Sequence, residues 1–391
     1  MKPRLLFYVH DGKGLGHLRR ISRIAANLAK SASCLICCSH REAGWMVDQS
    51  CEYVYIPPMD SLVASRAAYW SRDPFINLNG IGARAFRVRL IESVVDVFSP
   101  DVIITDYFPL GKGREIAAIL SRSPASKVFL MRGVMDTLSI ANQEIFGDKE
   151  QQALREQYQA ILVACDRRIC DPTTEYVLDP QISAKIEYIG YVSRQSESSE
   201  ISEARVARGV PNGFAWVVCS GGGGARSGDL VAQYLELPQR FPEVFFDIVA
   251  GPRYRGKIKP TAGDSKTEAK VRISTERNDL PLLHASADVV VCPGGYNSIV
   301  ETLEGEAKLI CAPPPLQEDA EPDIHIRRLG GIIPLQRIDH PREVHAALHE
   351  ALQSSVNPES RKNLLDLDGI RRAGEAILKV ARAKKNTFSE N

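Results

Sequence analysis

The segment Pro293-Gly-Gly-Tyr-Asn-Ser-Ile-Val-Glu301 joins an apolar, strand-like run (Ala287 to Cys292) to an apolar, helix-like one. These residue types in this order suit the binding of a phosphorylated ligand. Gly294 and Gly295 let the backbone approach an anion. Asn297 and Ser298 open a helix whose first N–H groups face it, and Glu301 can reach a pair of ribose hydroxyls. The run Cys219-Ser-Gly-Gly-Gly-Gly-Ala-Arg226 repeats the strand, glycine loop and helix order. Four successive glycines, Gly221, Gly222, Gly223 and Gly224, are entropically costly in a plain loop and favour close contact between backbone and ligand. Arg226 can pair a phosphate with both arms of its guanidinium. No Gly-Lys-Ser/Thr follows, so this is no Walker loop.

The first half carries a different set. His10-Asp-Gly-Lys-Gly-Leu-Gly-His17 links the first strand to the first helix. Gly14 and Gly16 allow a ligand or a facing domain to approach the backbone. Read as a dinucleotide fingerprint, the glycines lack the helix-packing third member, and no acidic residue ends the second strand. His17 stands at a helix start, where the dipole disfavours imidazolium; a neutral ring there can take a proton from an acceptor hydroxyl, or it can simply bond the loop. Asp106 ends the run Val102-Ile-Ile-Thr-Asp106 on the same sheet rim. Its carboxylate either orients that imidazole, as the acid of a triad does, or caps a turn before Pro109. Arg19 and Arg20, in the first helical turn, read as solvated cations paired with acids, or as groups that meet an anionic ligand. Asp279 or Asn278 reads as an N-cap.

Positioning these residues requires alternating strands and helices, hence parallel sheets covered on both faces. Strands are expected at Arg4 to His10, Cys34 to Ser39, Tyr53 to Ile56, Val102 to Thr105, Val128 to Met131, near Arg168 and at Ile186 to Tyr191. Helices are expected at His17 to Lys30, Ala83 to Phe98 and Asn142 to Leu162. The alternation restarts at Ala215 and includes a strand at Ile332 to Leu335. The polar segment Ser193 to Glu203 lacks apolar periodicity and reads as a connection. The reading is therefore α/β: two Rossmann-like, doubly wound domains facing across a cleft. They span 1–192 and 212–355, with a linker at 193–211. The tail at 356–391 supplies a helix that can return to the first domain.

Composition narrows the class. In 391 residues, 49 Lys and Arg balance 48 Asp and Glu. No bulk field draws the chain to nucleic acid, and at most a peripheral membrane contact is expected. No apolar run reaches the roughly 18 residues of a membrane span, and the N-terminal apolar run is too short for a signal peptide, so a cytoplasmic location is expected. The nine cysteines sit in or beside apolar runs, as reduced thiols do. Cys34-x-x-Cys37 falls in a strand-like run and reads as core. Leu62 to Arg89 mixes Tyr69, Trp70, Phe75 and Phe86 with Arg66, Arg72, Arg84, Arg87 and Arg89. It reads as a grip for a phosphorylated or lipid-linked acceptor, or as an ordinary loop and amphipathic helix.

Together, Gly14-Leu-Gly-His17-Leu-Arg-Arg, Pro100-Asp-Val-Ile-Ile-Thr-Asp106, Ser220-Gly-Gly-Gly-Gly-Ala-Arg226 and Pro293 to Glu301 resemble the GT-B glycosyltransferases. The nearest likeness is to the N-acetylglucosaminyltransferases that form lipid II and their predicted-glycosyltransferase relatives. That resemblance implies an inverting, metal-independent transfer from a nucleotide diphosphate sugar, UDP-linked by expectation, to a hydroxyl or amine of a small-molecule or lipid-linked acceptor. The donor is a co-substrate, and no cofactor or metal is expected. Glu301 would hold the ribose; Gly221 to Gly224, Asn297 and Ser298 would face the diphosphate; Glu276 to Asn278, with Arg277, would lie by the base. The pair that usually reads the sugar hydroxyls after a proline-rich loop is absent from Pro313-Pro-Pro-Leu-Gln-Glu-Asp. Gln317, Glu318, Glu321 or Asp323 would take its place. Asp366-Leu-Asp368 matches a metal-binding DxD string only by chance. A nucleotide-sugar hydrolase, a 2-epimerase, or a non-catalytic nucleotide-sugar-binding protein are the competing readings.

Overall fold

The computed structural model describes residues 2–10, 12, 14–58, 62–63, 71–72, 80–222, 227–256, 258, 270–314, 320–355 and 364–389. In chain order the strands of the first half are β1 (Arg4–Tyr8), β2 (Ser33–Cys38), β3 (Glu52–Tyr55), β4 (Leu62–Val63), β5 (Ser71–Arg72), β6 (Val102–Asp106), β7 (Ser126–Met131), β8 (Tyr158–Val163) and β9 (Ile186–Tyr188). The second half adds β10 (Ala215–Ser220), β11 (Val244–Val249), β12 (Val271–Ser274), β13 (Val289–Cys292), β14 (Lys308–Cys311) and β15 (Gln336–Arg337).

The chain divides into two compact units. One comprises Met1–Ser61, Asp73–Val192 and Asp366–Asn391; the other comprises Leu62–Arg72 and Ser193–Leu365. The first unit holds a parallel sheet in the order β3-β2-β1-β6-β7-β8-β9, and the second a parallel sheet in the order β12-β11-β10-β13-β14-β15. β4 and β5 form a separate antiparallel pair. Both large sheets grow outward in two directions from a central pair. β1 has β2 on one side and β6 on the other, and β10 has β11 on one side and β13 on the other. These strands are near-continuous apolar runs because helices cover both faces: every residue of β6, β11 and β13 is buried.

Four stretches differ from the sequence expectation. Asn142 to Leu162 is not one helix. It is a π turn (Ala141–Ile145), a helix (Asp148–Glu156) and then β8, whose apolar residues fill the sheet between β7 and β9. The region of Arg168 is a turn closed by Asp166, not a strand. Ile332 and Ile333 complete the turn at Leu329, and pairing with β14 starts only at Gln336. Ser198–Arg208 is a helix inside the expected linker. Glu197 and Glu200 form its capping box and Gly209, at φ 73°, ends it. Its periodicity is weak because few of its side chains are buried: Ala204 is, and Arg208 reaches in to bond the buried Asp247, whose carboxylate also accepts from Trp216 Nε1 at 2.9 Å.

The C-terminal helix, Gly369–Ser389, packs against the Gly16–Leu28 helix and against β6, β7 and β8 through Ala373, Ala376, Ile377 and Ala381. The returning segment runs beside the outgoing one, Asp368 bridging to Val192.

In the second unit the helices Leu280–Ser286 and Tyr296–Leu303 lie against each other, and Gly305 closes the turn after the latter. A Cβ on Gly305 would sit 1.7 Å from the Ala285 carbonyl oxygen. Backbone cannot yield as a side chain can, so Gly305→Ala should lower the urea midpoint of the second unit by an amount corresponding to about 2–3 kcal/mol. An unchanged midpoint would show that the two helices are free to separate.

Candidate active site

In the first unit the expected pair is in place. The Gly16–Leu28 helix places His17 opposite the carboxyl end of β6, and His17 Nδ1 lies 2.6 Å from Asp106 Oδ2. The His10 backbone N–H donates to the same oxygen at 3.3 Å. Gly16 starts the helix and Gly14 precedes it in the loop; Gly12 packs against both rings, its Cβ position 3.2 Å from His10 Cδ2 and from His17 Cδ2.

Arg20 corrects the sequence reading. It is fully buried, not solvated, and its Nη2 donates to Asp106 Oδ1. Its spacing carried the signal. Residues 17, 18, 20, 21, 22, 24, 25 and 28 of the helix are buried, and Arg20 stands among them. A buried charge needs a partner, so an arginine among buried positions predicts an acid beneath it.

The electrostatics follow from this packing. Burial opposes the charge on Asp106, but the His17 and Arg20 groups beside it hold its carboxyl well below the usual carboxylate range. Burial, then the Arg132 cation, push His17 down to about 3 against the pull of Asp106. Burial and the proximity of His17 lower His10 as well. At neutral pH His17 is therefore uncharged, and Arg20 balances Asp106. The neutral ring donates Nδ1–H to the carboxylate, which leaves the Nε2 lone pair to accept a proton.

Aromatic groups enclose the pair. Tyr107 stacks on His10 at 4.9 Å between ring centroids and meets His17 edge-on at 5.2 Å. Its φ is 70°, unusual for an aromatic residue, and its hydroxyl donates to Met135 O at 2.6 Å. Backbone strain of this kind concentrates at functional sites.

The second unit gathers the glycine loops. Ser220 ends β10 and Pro293 follows β13, so both loops leave the carboxyl edge where the strand order reverses. Gly222, at φ 71°, lies against Pro293, and Gly294, at φ 80°, has Ile326 Cδ1 2.2 Å from where a Cβ would be. Gly295 is the N-cap of the Tyr296–Leu303 helix; it offers no side chain to the first-turn amides, and among the described residues, its chain neighbours aside, no atom lies within 4 Å of its Cβ position. Asn297 and Ser298 occupy that first turn. The result is a helix N-terminus without a side-chain cap, suited to an anion.

Glu301 is buried at 1% exposure, and His284 Nδ1 bonds its Oε2 at 2.9 Å. His284 Nε2 in turn lies 3.2 Å from Ser220 Oγ. The sequence reading had no place for His284. It lies between the two loops in sequence, on an apolar helix, with no motif around it. Arg277 is bound to Asp279 at 2.7 Å, and Asp279 makes no capping bond. Asp323 is buried and held by Arg327 and Arg337, which makes it a structural carboxylate. Gly223, Gly224, Arg226, Gln317 and Glu318 lie outside the described residues.

The structure also places the remaining sequence candidates. Arg87 does not face an acceptor: it is buried, bonded to both oxygens of Glu115 and to Ser39 Oγ, while Tyr8 also donates to Glu115. Asp366 and Asp368 are engaged by Arg372 and Arg371. Trp70, Tyr69, Phe75 and Arg66 lie outside the described residues. All nine cysteines are buried and free.

Two tests address the first site. Arg20→Met strands a buried carboxylate and should cost about 3–5 kcal/mol in chemical denaturation, part of which returns when Asp106→Asn is added; additive losses would show the two are not a pair. The second concerns pH. His17 binds its proton more weakly folded than unfolded, so its stabilising contribution is present above about pH 6.5 and is lost as pH falls toward 3. Between pH 6 and 4, His17→Gln should reduce the slope of stability against pH by about 1.4 kcal/mol per unit. Equal slopes in the two proteins would mean that His17 is charged in the fold.

Comparison with protein-family models gives no match, and neither does a search of curated proteins. Solved structures match along nearly the whole chain. The glycotransferase of kitacinnamycin superposes with a TM-score of 0.62 at 14% identity, covering 97% of this chain and 100% of that one. The UDP-GlcNAc 2-epimerase from Neisseria meningitidis, bound to UDP-GlcNAc, gives 0.57 at 10% identity over 97% and 99%. MurG of Acinetobacter baumannii gives 0.51 at 12% identity over 97% and 99%. With its two parallel sheets, each reversing at a central strand pair, the chain has the fold of the GT-B glycosyltransferases.

Proposed function

We propose that this protein is an inverting glycosyltransferase that moves a sugar from a nucleotide diphosphate donor, UDP-linked by preference, to a hydroxyl or amine of a small-molecule or lipid-linked acceptor. The observation that carries the reading is the neutral His17 imidazole, oriented through Nδ1 by the buried Asp106. A base so prepared suits abstraction of an acceptor proton. The uncapped helix N-terminus at Gly295 in the second unit, and fold neighbours named as glycosyltransferases, one of them in complex with dTDP, support the donor class.

In this mechanism the second unit binds the donor and the first supplies the base. The acceptor proton passes to His17 Nε2 as the acceptor oxygen or nitrogen bonds the anomeric carbon. The bond from that carbon to the diphosphate breaks, and the diphosphate leaves with the electron pair. Its growing charge is met by the main-chain amides of the glycine loops and of the Tyr296–Leu303 helix. The charge stabilisation is assigned to these amides, with no metal ion in the proposal. Asp106 stabilises the imidazolium that forms.

A second reading has one specific support, the neighbour that is a UDP-GlcNAc 2-epimerase. On it the donor would react without an acceptor. Among the described residues no helix is long and apolar enough to cross a membrane.

A thermal-shift screen with UDP and dTDP separates these outcomes. A diphosphate present at a hundred times its Kd stabilises the folded form by about 2.7 kcal/mol, a rise of about 5–10 °C for a unit of this size. His17→Ala should keep that rise while losing transfer by about a hundredfold or more. Absence of any shift sinks the donor assignment, undiminished transfer by His17→Ala removes its role as base, and UDP release that is equally fast without acceptor favours the second reading.

A further inference from the structure

We infer that His284 is a positioning residue of the donor site, holding the Glu301 carboxylate in one fixed arrangement through Nδ1, with its bond to Ser220 setting the ring's tautomer. This rests on the reading that the second unit binds a nucleotide diphosphate. The three side chains come from three elements: Ser220 from the end of β10, His284 from the Leu280–Ser286 helix and Glu301 from the Tyr296–Leu303 helix. Their exposures are 2%, 0% and 1%. His284 uses both ring nitrogens, Nδ1 at 2.9 Å from Glu301 Oε2 and Nε2 at 3.2 Å from Ser220 Oγ.

The chemistry of the partners fixes the direction of the chain. An ionised carboxylate only accepts, so Nδ1 carries the proton and donates to Glu301; Nε2 then accepts from the Ser220 hydroxyl. Each bond orients the next, and the chain fixes the Glu301 carboxylate through Oε2. The first loop is pinned at the same point, because Ser220 directly precedes Gly221, and the Tyr234 hydroxyl donates to the Ser220 carbonyl at 3.4 Å. Gly222 meets Pro293 on the far side, so the two loops touch above and are tied below.

A serine, histidine and acid in this order also occur in nucleophilic triads, but the donor reading asks the second unit for no nucleophile. Stability alone does not account for the trio either, since a buried ionic or polar group gains little over well-packed apolar side chains of similar size. A carboxylate that must meet ribose hydroxyls at a set angle does need such a mount.

Two isosteres separate the bonds. His284→Asn places an amide nitrogen where Nδ1 stood and keeps the bond to Glu301; His284→Gln places its amide where Nε2 stood and keeps only the bond to Ser220. Among variants matched in melting temperature, calorimetric titration with UDP, or with dTDP if that is the tighter ligand, should give Asn a Kd near wild type. Gln and His284→Ala should bind about tenfold more weakly. Gln binding as tightly as wild type, or Asn and Gln weakened alike, overturns the inference. Should the variants fail to fold, the His284 ring nitrogens of the wild-type protein, observed by NMR, should shift on saturation with the nucleotide, and unmoved resonances overturn it equally. A wild-type protein that binds neither nucleotide sinks the donor reading itself, and this inference with it; binding by wild type with an unimpaired Gln variant sinks this inference alone.

Discussion

A parallel strand must leave its sheet at the carboxyl edge and re-enter from the opposite edge, and where the winding reverses, two successive crossovers depart on opposite faces. This constraint organises the molecule. The reversal falls between β1 and β6 in the first unit and between β10 and β13 in the second. At each of these places the strand ends are not roofed by their own connections, so polar groups there can meet a ligand. His10, His17 and Asp106 gather at the first; Ser220, Gly222, Pro293 and Gly294 gather at the second.

Both places are built around a carboxylate taken out of water, and both obey the rule that such a charge must be met. Asp106 is met by Arg20, which frees His17 to stay neutral while still being oriented. Were Arg20 absent, the imidazole would be the nearest group able to balance the charge, and a protonated imidazole is no base. Glu301 is met by an imidazole that hands the constraint on to a loop. The same two residue types thus serve different ends: in one unit the carboxylate prepares the ring, in the other the ring holds the carboxylate. What differs is burial, His17 keeping 6% of its surface exposed and His284 none.

The buried Arg87, Glu115 and Tyr8 network shows the rule without a site. It joins the helix Gly80–Phe98 to β1 and to the turn at Glu115, and Pro57 O accepts from the same arginine. Its atoms are mutually satisfied, and its work is to hold the helix. Charge of this kind in a sequence is ambiguous, because a basic, aromatic segment reads equally well as a surface for a ligand and as an internal staple.

Apolar runs and glycine loops by themselves determined the α/β class, most strands, and the places where backbone approaches closely. These are local properties: a strand buried on both faces must be apolar, and only glycine tolerates the φ of Gly222 and Gly294. The pairing of His17 with Asp106 was legible as well, since both end up on the rim that the strand pattern defines. Tertiary structure alone decided the rest. Tyr158–Val163 is a strand because β7 and β9 leave a gap there, though the residues before it continue a helical pattern. Arg20 is an internal counter-charge because Asp106 lies beneath it, and Arg87 is a staple because Glu115 does. His284 matters because two loops distant in sequence meet on either side of its ring. In each case the deciding partner lies far along the chain, and the energy of a buried polar group depends on that partner more than on any neighbour in sequence.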